Sequence, residues 1–413
     1  MLKARNKYLY IFGFVLLILA TLRLLELNKN EKFLNYFSHY YFDPNYYLEH
    51  YPEIKAQNIN PFDHYVQYGW KEGKNPSAIF ETTFYVRQYL YTNKYNLNPL
   101  ADYIKSKLSF KTTRITNRTQ VLKAKLLPNP KYYISLVAIF QNESRFLKEW
   151  IEFYRLMGVE HFHLYNHLST DDYMEVLAPY IQDGIVDLKQ VTEKPKDLKE
   201  WNALQTKLYT NTAQEIKDIT EWLVVVDTDE FLFPVKNKNL KELLKKYDDY
   251  ASLSVNWKIF GSGNVEKIAQ DKLMIESLTK SNNQKDLHVK TIVKPRYVKN
   301  FANPHFAYLL PGYSQVAENF EYFKGSFLPE ESRNLVRINH YWARDWEFFK
   351  ENKLARVHIL ANGLDEDEKK NIIDNLVKAN ENASLIYDDS ILRFVEPLRS
   401  RVINKNALSK KQN

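Results

Sequence analysis

Hydrophobic and polar positions along the chain fall into three regimes. Tyr8 to Leu22 is uncharged and largely apolar, with Lys3, Arg5 and Lys7 before it and Arg23 after it. About 20 helical residues span a bilayer core of ~30 Å. Residues 1–30 are therefore expected to form a single-pass membrane anchor, and no small-x-small site follows the run to mark a cleaved leader. Aromatic positions then recur with a fixed period. Phe42 matches Phe80, Tyr47 matches Tyr85, Tyr51 matches Tyr89, Asn60-Pro61 matches Asn98-Pro99 and Tyr65 matches Tyr103, every pair 38 residues apart. Such a period marks a duplicated supersecondary unit, here a two-copy helical module over 38–107. Its aromatics read as core, and a ligand- or partner-binding spacer is the rival reading. From Lys105 to Lys131 there are eight Lys or Arg and no acid, so 108–130 reads as a basic linker, either solvated or held against anionic lipid.

Beyond Lys131 the pattern alternates. Ile134–Phe140 is a buried-strand run, and 144–157 places Phe146, Leu147, Trp150, Ile151 and Tyr154 on one helical face, closed by Gly158. Strands at 161–165, 185–188 and 222–226 follow, with helices at 171–181 and 198–217 between them. This β-α-β-α-β-α-β order predicts an α/β fold with a mostly parallel sheet, helices on both faces, and ligands at the carboxyl edge. The domain is expected to span 131–360, with a helical, basic tail over 361–413.

The loops at that edge are polar. Strand one ends in Gln141-Asn142-Glu143, strand two in Asn166 to Asp171, and strand four in Asp227-Thr228-Asp229-Glu230. While the backbone is extended, residues two apart point the same way, so Asp227 and Asp229 share a face. Paired carboxylates beside a diphosphate suit Mn²⁺ or Mg²⁺, with phosphate oxygens completing the shell. An acidic turn without a ligand is the alternative.

Composition narrows the classes. With 45% hydrophobic and 26% charged residues, the chain is globular and not disordered. It has no cysteine, which excludes disulfides, thiolate metal sites and a Cys nucleophile. A net charge of +8 fits a lipid surface or phosphorylated substrates and does not by itself point to nucleic acid. The missing cysteines and the basic linker lead to the expectation that the α/β domain lies on the cytoplasmic side.

Val226-Asp227-Thr228-Asp229-Glu230-Phe231-Leu232 resembles the Asp-x-Asp motif of GT-A glycosyltransferases related to family 2, and more closely glycosyltransferase family 92. Phe140 to Glu143 with Trp150, Glu152 to Tyr154 with Gly158, Trp257 to Gly263, and Ile338-Asn339-His340-Tyr341-Trp342 fit that family in order. His288 to Pro295 with Asn303-Pro304-His305 fits more loosely. The resemblance implies a GT-A (Rossmann-like) domain that moves a hexose, a galactosyl donor being one option. The donor is a nucleoside-diphosphate sugar and the acceptor a hydroxyl of a glycan or glycolipid. It also implies donor contacts from Gln141, Asn142, Glu143, Asn166, Asp171 and Lys290, and a metal on Asp227, Asp229 and His340, with His305 as rival to His340. Trp257, Gly261, Ser262 and Gly263 would form an acceptor-side wall and flexible loop. A single displacement needs a base, for which Glu276 and Glu318 are candidates by position alone. Two other readings compete: a membrane-tethered glycan-binding protein without activity, and a haloacid-dehalogenase-type phosphatase. The phosphatase would place its Asp-x-Asp strand first in the domain.

Overall fold

The structure is a computed structural model that describes residues 41–90, 97–108, 114–355, 357 and 365–403. The expected anchor at 1–30 lies outside the described residues. Among those described, no helix is long and apolar enough to cross a membrane. The chain divides into two compact units, 1–120 and 121–413.

The first unit carries the repeat, and the two copies reuse the same bonds. Tyr47 OH meets His64 Nδ1 at 2.9 Å, and Tyr85 OH, 38 residues on, donates to Asp102 Oδ2 at 3.0 Å. Asn60 caps the helix Pro61–His64 by accepting from Phe62 and Asp63, and Asn98 does the same for Leu100 and Ala101 at the start of Pro99–Leu108. Both follow the N-cap logic of a short polar side chain before a Pro. Phe42, Tyr47, Tyr65, Phe80 and Tyr85 form one buried cluster, so the aromatics are core. The basic stretch is also built in. Arg114 donates to Tyr85 OH at 2.8 Å and pairs with Asp102, and Arg118 pairs with Glu81 at 2.7 Å.

The second unit is built on strands β1 (Tyr132–Phe140), β2 (His161–His167), β3 (Val186–Val191), β4 (Thr220–Val225), β5 (Glu230–Pro234), β6 (Ser252–Ile259), β7 (Lys280–Ser281), β8 (Val289–Val293), β9 (Val298–Asn303), β10 (Phe306–Leu309), β11 (Gln315–Ala317), β12 (Tyr322–Phe323), β13 (Val336–His340) and β14 (Ile386–Tyr387). The main sheet runs β12-β11-β6-β8-β4-β1-β2-β3, with β13 joining β6 to β5. The helices Ser144–Leu156, Tyr173–Gln182 and Leu198–Ile216 link β1 to β4 as expected, and these four strands are parallel. Alternation along β1 sends Leu136 and Ala138 into one core and Val137 and Ile139 into the other, so both sheet faces are buried. Trp150 is fully buried against the first face, and truncating a side chain of this kind typically costs about 3–5 kcal/mol.

The sheet is mostly parallel, as expected, but mixed. β8 lies antiparallel between β4 and β6, and β13 is antiparallel to β5. No crossover helix carries the chain from β6 to β8, so it re-enters the sheet from the carboxyl edge. The C-terminal residues are part of this unit. β14 pairs with β7, and Leu398 of the helix Val395–Val402 is fully buried in the core.

The division after Gln120 falls inside the stretch read as linker. Residues 122–127 are stitched to the α/β unit: Leu122 N–H to Gly312 O at 2.8 Å, Ala124 N–H to Asp249 O at 2.8 Å, Lys125 N–H to Tyr297 OH at 2.7 Å and Leu127 N–H to Glu221 at 2.6 Å. A chain starting at Val121 should therefore fold cooperatively. One starting at Pro128 should lose about 2–6 kcal/mol, the worth of four such bonds. Thermal melts of both would check this, and equal midpoints would show that the strap contributes nothing.

Candidate active site

The carboxyl edge of the parallel strands opens into a cavity of about 660 Å³. Its floor is Ile139 to Gln141 and Glu143 at the end of β1, and Asp227 to Asp229 after β4. One wall is the first turns of the helix Leu198–Ile216, with Trp201 and Gln205 facing in, and His167 at the end of β2. The other wall is His340, Trp342 and Lys353. β13 supplies that wall. Its register sets His340 opposite Glu230, and Tyr341 N–H donates to Asp229 O at 2.8 Å.

Each aspartate is held by cations. Lys290, fully buried, donates to Asp227 Oδ2 at 2.7 Å and lies 3.6 Å from Glu230. Burial alone would raise the Asp227 carboxyl, but Lys290 and the nearby His340 and His305 bring it below its ordinary value. Glu230 goes the other way. Burial, with the Asp227 charge adding, pushes it up to about 8, so it is protonated at neutral pH. Asp229 is surrounded by Lys353 at 3.3 Å, Arg344 at 3.5 Å and His340 Nε2 at 3.5 Å. Arg344 is fully buried between Phe146 and Phe348 and pairs with Glu143 at 2.5 Å.

The donor set suits a hard divalent ion. Asp229 presents Oδ1 to His340 Nε2, burial pushes that imidazole down to about 3 so it stays neutral, and its Nδ1 is buried without a hydrogen-bond partner. His305 does not reach Asp229. Its Nδ1 lies 3.1 Å from Val289 O, whereas His340 faces Asp229 and lines the cavity. Among the described residues, the one grouping of three potential ligands within 4.8 Å of one another is His161, His163 and Asp187. It sits at the starts of β2 and β3, the edge opposite the cavity, and can hold an ion only there.

Several other expectations change. Asn142, at φ 55°, accepts from Thr170 N–H at 2.8 Å, and its own N–H donates to Ser169 Oγ, so it ties the first two loops together. Asp171 accepts from Ser144 N–H at 2.7 Å, and Asn166 bonds Gln190 and Ser169. These three brace the floor, while Gln141 and Glu143 line it. Gly261, Ser262 and Gly263 are not a flexible loop. Ser262 N–H donates to Asn380 Oδ1 at 2.8 Å, Gly263 N–H to Ser384 Oγ at 3.0 Å, and a Cβ on Gly261 would lie 2.4 Å from Asn380 O. Trp257 keeps its place beside the site, its ring 4.5 Å from that of His340.

Neither proposed base is free. Glu276 caps its own helix at Leu273 N–H and pairs with Arg399. Glu318 accepts from Ser332, Asn334, Leu335 and Val336 at 2.5–2.8 Å. Lys294, four residues after Lys290, pairs instead with Glu221 at the amino end of β4. Sequence reasoning missed Arg344, Lys353, Trp201 and Gln205. Only the last two left a signal, an i,i+4 pair on one helical face.

These environments set a pH dependence of stability. Burial pushes His340 down to about 3, and His163 and His305 to about 4, so below about pH 6.5 the unfolded chain takes up protons that the folded one refuses. Glu149 and Glu230 are raised by burial to about 7 and about 8. What they contribute is fully present below 4.5 and is lost as pH rises through those values. Stability should peak between about pH 6 and 7 and fall on both sides. Urea midpoints from acid to alkaline pH would check it, and a midpoint that keeps rising past pH 8 would contradict a protonated Glu230.

The motifs that shape this edge fall inside a longer match. The profile of glycosyltransferase family 92 matches residues 131–365. A glycosyltransferase family 92 protein of Ricinus communis is 24% identical over 226 residues, 54% of this chain and 37% of that protein. One of Oryza sativa subsp. japonica is 26% identical over 222 residues, 53% of this chain and 35% of that protein. The chain thus spans little more than a third of these curated relatives. Among solved structures, S. aureus TarS 1-349 is similar at 14% identity over 59% of this chain and 70% of that one, with a TM-score of 0.29. An overlap this low leaves the fold to be argued from the sheet topology itself. With a profile covering more than half of its residues and the Asp-x-Asp, Trp257 and His340 segments meeting at one edge, the chain belongs to glycosyltransferase family 92.

Proposed function

We propose that this cavity is the donor site of a glycosyltransferase that moves a hexose from a nucleoside-diphosphate sugar to a hydroxyl of a glycan or glycolipid. The observation that carries the reading is that Asp227, Asp229 and neutral His340 line one cavity with Trp201 and Gln205, His340 Nε2 lying 3.5 Å from Asp229. The nucleoside would lie against Trp201 and Gln141, with its diphosphate running toward Asp227 and Asp229. A divalent ion held by Asp227, Asp229 and His340 would neutralise charge developing on the leaving diphosphate. Lys353, whose ammonium now sits on Asp229, is placed to turn to that diphosphate when the carboxylate is otherwise engaged. Lys290 stays on Asp227 and orients it, and protonated Glu230 anchors the turn by accepting from Asp227 N–H at 2.9 Å.

The test is nucleoside diphosphate release from a panel of uridine and guanosine diphosphate hexoses, with and without Mn²⁺ or Mg²⁺. Metal-dependent release from at least one donor is expected. A protein that binds none of them and releases nothing would sink the reading and leave the non-enzymatic alternative. The phosphatase reading has no support in the topology, since three βα units precede the Asp-x-Asp strand.

A further inference from the structure

Donor binding leaves a second group at the same rim unexplained. β8 runs antiparallel to β4, so it begins at the edge where β4 ends. Lys290 reaches Asp227 from that strand. Side chains alternate along a strand, so His288, two residues earlier, lies on the same face one step further out. Its ring is fixed. Asp286 Oδ1 lies 2.8 Å from His288 Nδ1 and accepts from the His288 backbone N–H at 2.8 Å. An ionised carboxylate only accepts, so the ring proton sits on Nδ1 and the lone pair on Nε2. Burial would raise Asp286, but these bonds from His288 hold it below its ordinary value.

The surroundings suit a sugar. Trp257 stacks on His288 at 5.1 Å and 17°, and half-exposed Phe327 packs at 4.4 Å. Trp257 separates His288 from His340, which faces Asp229. The His288 side chain is 40% exposed, open to an incoming hydroxyl. Other charged groups around it are Glu331, which accepts from Asp286 N–H at 3.2 Å, Arg333, paired with Glu331, and His305, 5.8 Å away. By contrast, Glu143, Glu230, Glu276 and Glu318 are all committed.

We propose that His288, oriented by Asp286, is the general base of the transfer, with Trp257 and Phe327 as the apolar platform for the acceptor sugar. The inference rests on the transferase reading above. The acceptor hydroxyl gives its proton to His288 Nε2 as its oxygen bonds the anomeric carbon. The bond from that carbon to the diphosphate oxygen breaks, and its electron pair leaves with the nucleoside diphosphate. Asp286 stabilises the imidazolium, which then returns its proton to water.

The test uses the full chain with His288→Ala, His288→Gln and Asp286→Asn. Binding of uridine and guanosine diphosphate with Mn²⁺ is measured beside donor turnover, with water and methyl hexosides as acceptors. In His288→Ala, diphosphate binding should stay within about twofold of wild type while turnover falls about 10²–10⁴-fold, the usual worth of a general base. Free imidazole should restore rate in proportion to its unprotonated fraction, and the acid limb of the pH–rate profile should vanish. Asp286→Asn should lose less and keep that limb. Near-normal turnover in His288→Ala would overturn the assignment. So would a loss of diphosphate binding together with turnover and without imidazole rescue, which would mark a structural role. Wild type that turns over no donor would strike at the transferase reading itself, and the base would fall with it.

Discussion

Asp229→Asn should reduce donor turnover about a thousandfold or more while the protein stays folded. The substitution keeps shape and removes charge. Asp229 is only 7% exposed, so it is not the solvated cleft carboxylate that its position in an acidic turn suggests. Its charge serves two purposes. It balances Lys353 and Arg344, and it would hold the ion that carries charge on the leaving diphosphate. Losing that ion takes away several kcal/mol of barrier lowering, about 10³ or more in rate. The fold should lose less, about 1.5–3 kcal/mol, the worth of a charge-assisted hydrogen bond. Arg344 keeps Glu143, and Lys353 is partly exposed and can turn to solvent. Asp227→Asn should be gentler still on stability, because Glu230 can ionise and take over Lys290 from 3.6 Å. Turnover with and without Mn²⁺, beside urea midpoints, decides the matter. A folded Asp229→Asn protein with near-normal rate would remove this pair from the mechanism.

Arg344→Ala should destabilise the fold by about 3–5 kcal/mol. The guanidinium has no exposed surface, donates to Tyr341 O at 3.1 Å, pairs with Glu143 and neighbours Asp229. Removing it leaves two carboxylates without their shared partner and a void between Phe146 and Phe348. Arg344→Lys should recover only part of the loss, since an ammonium cannot span Glu143 and Tyr341 O as a planar fork does. Residue 344 also has φ 60°, a conformation that is costly for a long side chain and held only because the packing around it is complete. A melting temperature within a degree or two of wild type would show that Glu143 and Asp229 need no such partner.

How much of this was legible in the sequence follows from the range of the interactions involved. Hydrophobic periodicity is local, and it placed β1 to β4 and the helices between them to within about three residues at each end. The 38-residue period is likewise a property of the string, and the matched Tyr47–His64 and Tyr85–Asp102 contacts show that it reports a real structural duplication. Asp227 and Asp229 could be picked out because the strand's end and their spacing are both local facts. Partners drawn from distant segments could not be read this way. His340 reaches Asp229 only through the β13–β5 register, and Lys290 reaches Asp227 only because β8 enters antiparallel. Glu276 and Glu318 looked eligible because sequence position says nothing of which backbone N–H groups already occupy a carboxylate. Gly261 to Gly263 looked mobile because glycine content says nothing of Asn380 and Ser384, more than a hundred residues away, that pin the loop. The sequence by itself determined β1 to β4 with the helices between them, the repeat and the family. Tertiary structure alone decided which charges meet, because burial and pairing depend on neighbours that the chain brings together only by folding.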